Sequence, residues 1–228
     1  MSRLTGTMSL ILAAALGAGS ATAADVSFVD FRLGGGVLSN TFKGKSTTTA
    51  TDNSTSISTS TSTGEGGRDA DNNWRGQAQL VYGNLGPIGG IIIGAGVAMN
   101  HARFDNGNYD STVSTPAVDV LLGYGIAVTP NWHFELTPFA GIGRAYYSID
   151  NSNDSSTSKE SDPYVEYGAK IGTYITFDNH FQLGIEVPYL VGRYKAEYNH
   201  DSGTSTYSES DTRRNEGFGV LATLGARF

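Results

Sequence analysis

Apolar residues take every second position of the chain in eight stretches, at roughly 26–42, 72–84, 88–104, 114–129, 131–148, 163–177, 180–198 and 213–228. A period of two belongs to the β-strand, whose successive side chains point to opposite faces. No stretch carries the 3.6-residue period of a long helix. The connections alternate just as strictly. Those at 43–71, 105–113, 149–162 and 199–212 are long and rich in Ser, Thr, Asn, Asp and Gly, while Leu85-Gly-Pro87, Thr129-Pro-Asn131 and Asp178-Asn-His180 are tight turns. Every long loop therefore falls at one end of the sheet. A soluble sandwich has no reason to sort its loops that way, whereas a barrel threaded through an outer membrane does. The stretches run 13 to 19 residues. About 9–11 suffice to cross hydrocarbon, so the strands should project outward beyond it.

The two faces of each stretch differ in kind. Phe218, Val220, Ala222, Leu224, Ala226 and Phe228 share one side of the last stretch; Phe181, Leu183, Ile185, Val187, Tyr189 and Val191 share one side of the seventh. Val118, Val120, Leu122, Tyr124, Ile126 and Val128 do the same in the fourth. The opposite faces carry Asp30, Arg32, Arg75, Asp119, Glu135, Glu166, Lys170, Glu186 and Arg227, interleaved with glycines. A water-soluble barrel would be apolar inside. Here the apolar faces are continuous and uncharged over a span wide enough to meet lipid, so the ionised residues are expected in the lumen. Closure follows, because an unpaired edge in hydrocarbon strands its backbone polar groups.

Two further features set the compartment. Arg3, an apolar run from Met8 to Gly19 and Ala21-Thr-Ala23 have the three-part plan of a secretory signal, giving an expected signal peptide at 1–23 and a barrel at 24–228. The chain has no cysteine, which removes disulfide scaffolds and thiolate chemistry. A net charge of −7 argues against a nucleic-acid partner.

With these residues in place, the chain resembles the small eight-stranded outer-membrane barrels, the group of the OmpA transmembrane domain, OmpX/Ail and the opacity proteins. The carriers are the signal, the eight alternating stretches, the long/short rhythm and a last strand ending in Phe228. The resemblance implies an all-β, eight-stranded antiparallel up-and-down transmembrane β-barrel in the bacterial outer membrane. It also implies that Phe228 is an insertion signal read by the barrel-insertion machinery. Ala226 departs from the pattern, since that group usually has a bulkier apolar residue there.

The chemistry expected of such a barrel is limited. Eight strands enclose room for side chains and little more. Four lumen cations and five lumen anions should then interlock as an ion-pair plug, with a narrow passive channel as the alternative. Arg103, Arg144, Arg193, Lys195 and Arg214 lie on the lipid-side phase near the long loops, with Trp74, Tyr146 and Tyr189 at similar heights. Such cations face outer-leaflet phosphates and form an expected lipopolysaccharide belt. The long loops hold 13 acids against four bases, and 46–63 is Ser or Thr at 14 of 18 positions, which reads as a solvated external loop open to a surface ligand. No cofactor is expected. A lipid-modifying enzyme would need a base with a partner. His101 and His200 are the candidates, but no Ser and acid accompany His101 at a recognisable spacing. A soluble periplasmic binder is the remaining alternative.

Overall fold

The computed structural model describes residues 26–52, 58–86, 88–105, 109–151, 157–178, 180–201 and 205–228, so the expected signal peptide lies outside the described residues. Its elements are all strands: β1 (Val26–Asp52), β2 (Ser58–Asp69), β3 (Asn72–Gly86), β4 (Gly89–Asp105), β5 (Tyr109–Thr129), β6 (Trp132–Asn151), β7 (Thr157–Phe177), β8 (Phe181–Asp201) and β9 (Ser205–Arg227). Each pairs antiparallel with its neighbours, and β1 pairs with β9 from Asp30↔Arg227 to Asp52↔Ser205, which closes the sheet. The count of nine conceals eight. β2 pairs with the outer half of β1 and β3 with its inner half, so β2 and β3 form one barrel strand broken at Ala70 and Asp71.

The inner ends of the strands fall where the sequence places them. The outer ends do not. Residues 43–52 and 58–69, expected as loop, are paired strand, as are 109–113, 149–151, 157–162, 199–201 and 205–212. Apolar alternation stops where lipid stops, but backbone pairing needs no apolar side chains. Thr, which dominates this part of β1, favours extended backbone through its β-branch.

Burial establishes the inversion. Leu33, Val120, Ile171 and Ile185 are each more than half exposed on the outer surface. Glu186 is wholly buried while Val187 beside it is 42% exposed. Among the described side chains of β8, Val191 alone breaks the expected phase, lying buried on the lipid side of the alternation. Inside, glycines act as sockets for rings. A Cβ on Gly83 would sit 2.2 Å from the Phe28 ring, and one on Gly184 would sit 2.4 Å from Tyr174. The tight turns use left-handed backbone at Gly89 (φ 104°) and Asp178 (φ 49°), residue types that tolerate it.

Candidate functional site: a charged lumen and an outward cation cluster

The period of two turns one face of every strand into the bore, and all nine ionised residues expected there are 9% exposed or less. They assemble in three tiers. Nearest the tight turns, Arg32 reaches from β1 to β6, donating to Glu135 Oε2 at 2.8 Å and Oε1 at 2.7 Å, and also to Asp30 at 2.9 Å. Arg227 donates to Asp30 from Nε at 2.9 Å and Nη2 at 3.1 Å, and Gln182 adds a third donor at 2.8 Å. Aromatic faces cover the guanidinium groups: Arg32 lies 3.9 Å from the Tyr174 centroid and Arg227 4.1 Å from that of Phe28.

The middle tier centres on Glu186, which accepts from Lys170 at 2.9 Å, Gln77 at 2.7 Å and the Tyr174 hydroxyl at 2.7 Å. Lys170 also donates to Gln79 at 2.6 Å. In the tier towards the long loops, Arg75 stands 2.8 Å from both Asp119 and Glu166 and donates to Asn100 at 2.8 Å. Asn100 and the Tyr164 hydroxyl each donate to Glu166 at 2.8 Å. Apolar side chains separate these tiers from both ends. Phe28, Val81, Leu85 and Ile92 pack at the tight-turn end, and Ala102, Phe104, Val113, Tyr147, Tyr164 and Tyr194 pack at the loop end.

Asn100, His133, Tyr164, Tyr174 and Gln182 were not singled out by sequence reasoning. The signal was present, since His133, Tyr164, Tyr174 and Gln182 fall on the same parity as the ionised lumen residues of their strands, and Asn100 falls on that of Gly94 and Gly96 in β4. His133 is buried and 3.0 Å from Glu135, so it belongs to the lumen.

The five outward cations separate into two groups. Arg103 is bridged to Asp110 at 2.6 Å, and Arg144 donates to Ser161 at 3.2 Å; both stand apart on β4 and β6. Arg193 and Arg214 are directly opposite each other across β8 and β9, and Lys43 is directly opposite Arg214 across β1 and β9. Lys195 and Lys45 flank Thr212 two residues higher, on the same face. Five cations thus share one sector, with Glu216 bridging Lys43 and Arg214. The hydrogen bond from Lys43, helped by the charge of Arg214, holds the Glu216 carboxyl below its usual range. Like charges placed directly opposite destabilise a sheet, so this sector favours an anion. Lys43 and Lys45 fall in 43–71, the segment expected as loop, and lie in β1. Arg193 also lies 5.7 Å from the Tyr167 centroid.

His101 does find a serine. Ser114 faces it across β4 and β5, with 2.9 Å between His101 Nδ1 and Ser114 Oγ, and Trp74 packs 5.5 Å from the imidazole. The pair is separated by 13 residues in sequence, which hid it. Among the described residues no carboxylate is recorded bonding to this imidazole, and the backbone N–H groups around it serve the strand ladder. An acyl-transfer site would need donors for an oxyanion. His200 lies at the outer end of β8, and its side chain is outside what the structure describes. Phe228 continues the closure, its N–H donating to Val29 O at 2.9 Å, and its side chain is exposed.

A closed barrel that is apolar outside and ionised within is an integral membrane protein of the strand-crossing kind. The chain belongs to the outer membrane protein β-barrel domain family, whose model matches residues 10–228, and its location is the bacterial outer membrane. Among solved structures it is similar to Ail, the attachment invasion locus protein of Yersinia pestis, at 14% identity with 84% of this chain and 99% of that one covered and a TM-score of 0.37. It is also similar to OprG of Pseudomonas aeruginosa, at 15% identity, 92% and 99% coverage and a TM-score of 0.39. The outer membrane protease OmpT of Escherichia coli matches at 12% identity, with 88% and 97% coverage and a TM-score of 0.40. No curated protein matches this chain.

Proposed function

We propose that this protein is a structural and surface-interaction component of the outer membrane, with its lumen plugged by ion pairs and its outward cations holding lipopolysaccharide. One observation carries the plug: each of the nine ionised lumen residues has an opposite charge within 2.9 Å. A buried charge without a partner costs several kcal/mol, so opening a path through these tiers is expensive. The apolar layers at both ends add to the obstruction. In planar bilayers, the purified protein is expected to give no steady conductance. A stable, ion-selective step would establish the narrow channel instead.

The lipopolysaccharide reading rests on Lys43, Lys45, Arg193, Lys195 and Arg214, five cations converging at the outer end of β8, β9 and β1. Arg in particular pairs with phosphate through two parallel hydrogen bonds. Replacing Arg193 and Arg214 with Gln should reduce the lipopolysaccharide retained on purification; unchanged retention would contradict it. Phe228 is the residue we assign to the barrel-insertion machinery, and the acidic loops are the part open to an external surface ligand. Catalysis is the less favoured reading. Ser114→Ala should leave acyl chains of outer-membrane lipids untouched, as should the parent protein.

A further inference from the structure

Three asparagines stand on three consecutive strands in the outer part of the lumen: Asn215 on β9, Asn40 on β1 and Asn73 on β3. Asn215 is opposite Phe42 and Asn40 opposite Gly217, so the first two are diagonal neighbours on one face. On the other side of β1 the ladder is interrupted. Val37 is the last residue paired with β3 and Thr41 the first paired with β2, so 38–40 have no ladder partner there, and Asn73 lies at the edge of the break. All three side chains are 6% exposed or less. Both amide atoms of Asn40, both of Asn73 and Oδ1 of Asn215 have no hydrogen-bond partner in the protein. Buried amides are nearly always bonded, so a bay of three unpartnered ones calls for a ligand that the chain does not itself supply.

The bay adjoins the uppermost ion-pair tier. A Cβ on Gly192 would meet Asn215 Oδ1 at 2.0 Å and the Tyr164 hydroxyl at 2.4 Å, which makes those oxygens neighbours, and Tyr164 donates to Glu166 at 2.8 Å. That tier carries one negative charge too many. Among the described residues, Arg75 is the one cation bridged to Asp119 and Glu166, while Lys170 is committed to Glu186 and Gln79. Asp119 Oδ1, also buried, accepts no hydrogen bond. We propose that the asparagine bay holds one monovalent alkali cation, sodium or potassium, which neutralises this excess. Amide oxygens are hard ligands that replace part of such an ion's hydration shell. The Nδ2 groups then donate to the waters that complete the shell. An anion would meet the carboxylates, and a divalent ion would reverse the imbalance instead of cancelling it. Transition metals favour imidazole or thiolate, which the bay does not offer. A cavity of about 460 Å³, lined in part by Phe42, lies at the loop end and gives the ion its entry from outside. The inference goes beyond the plug and holds whether or not the lumen conducts.

The test is thermal unfolding of the full protein in zwitterionic micelles free of lipopolysaccharide. Sodium or potassium chloride is exchanged against N-methylglucamine chloride at constant ionic strength, the organic cation being too large to enter the bay. A ligand that binds only the folded state adds equal increments of stability for each tenfold rise in concentration once the site fills. The midpoint should therefore climb by about 3–5 °C per tenfold rise in sodium or potassium. Asn73→Leu with Asn215→Leu removes unpartnered amides at nearly constant volume, which spares the fold the cost of burying them. Asp119→Asn removes the excess charge while Arg75 keeps Glu166. In each variant the increment should fall to less than about a third of the parent's. Equal midpoints for the parent in sodium, potassium and N-methylglucamine chloride would overturn the site and leave water alone on the amides. So would an undiminished increment in either variant, or a response to calcium chloride with none to sodium or potassium.

Discussion

Arg32 shows what a single lumen residue does. It joins Asp30 and Glu135 under the face of Tyr174, so its charge is matched and its hydrocarbon covered. Removing one partner of a buried ion pair leaves the other uncompensated. Arg32→Leu should therefore lower unfolding stability in urea by about 3–5 kcal/mol. Arg32→Met combined with Glu135→Met should recover at least half of that loss, because Asp30 keeps Arg227. The glycine sockets make a complementary case. Gly184→Val should cost about 1–3 kcal/mol, since its side chain would occupy the place of the Tyr174 ring. At this scale the sequence was informative by parity alone. Glu166 and Lys170 in β7 announce an inward face, and Tyr164 and Tyr174 share it. Which charge meets which was not legible. Arg32 and Glu135 are 103 residues apart, and only barrel closure and strand stagger bring them together.

Strands extend farther than their hydrophobic pattern. β1 is readable to Phe42 because lipid and lumen demand different residues on its two sides. Beyond that point both sides meet water, the pattern disappears, and pairing nevertheless continues to Asp52. The same effect concealed the cation cluster, because Lys43 and Lys45 lie in the patternless part of β1. The Ser/Thr-rich hairpin made by 46–52 and 58–63 is held by its own ladder and by the pairing of 46–52 with 205–211 of β9, and it lies outside the membrane layer. Replacing 46–63 with an Asn-Gly turn should leave unfolding stability in lipid within about 0.5 kcal/mol of the parent. A larger loss would mean that the outer hairpin supports the barrel.

For the molecule as a whole, the decisive property is the exchange of inside and outside relative to a soluble protein. The whole outer surface of the membrane layer contributes to it, so a charge there acts through lipid. Val187→Arg should destabilise the inserted barrel by about 2–4 kcal/mol. The architecture was legible in the sequence because the same inversion is repeated in every strand and the loop rhythm fixes the two ends. The cavity at the loop end was not, since Phe42, Arg68, Tyr147 and Arg213, which line it, come from four strands in or near the loop segments.

The inversion and the plug can be read together by nitroxide labels placed singly along β8 from Phe181 to Leu190 in reconstituted bilayers. Labels at 181, 183, 185, 187 and 189 should collide freely with oxygen dissolved in lipid, while those at 182, 184, 186, 188 and 190 should be shielded from both oxygen and a water-soluble nickel complex. Loss of the two-residue period, or ready access of the nickel complex to position 186, would contradict an oily cylinder filled with interlocked charge.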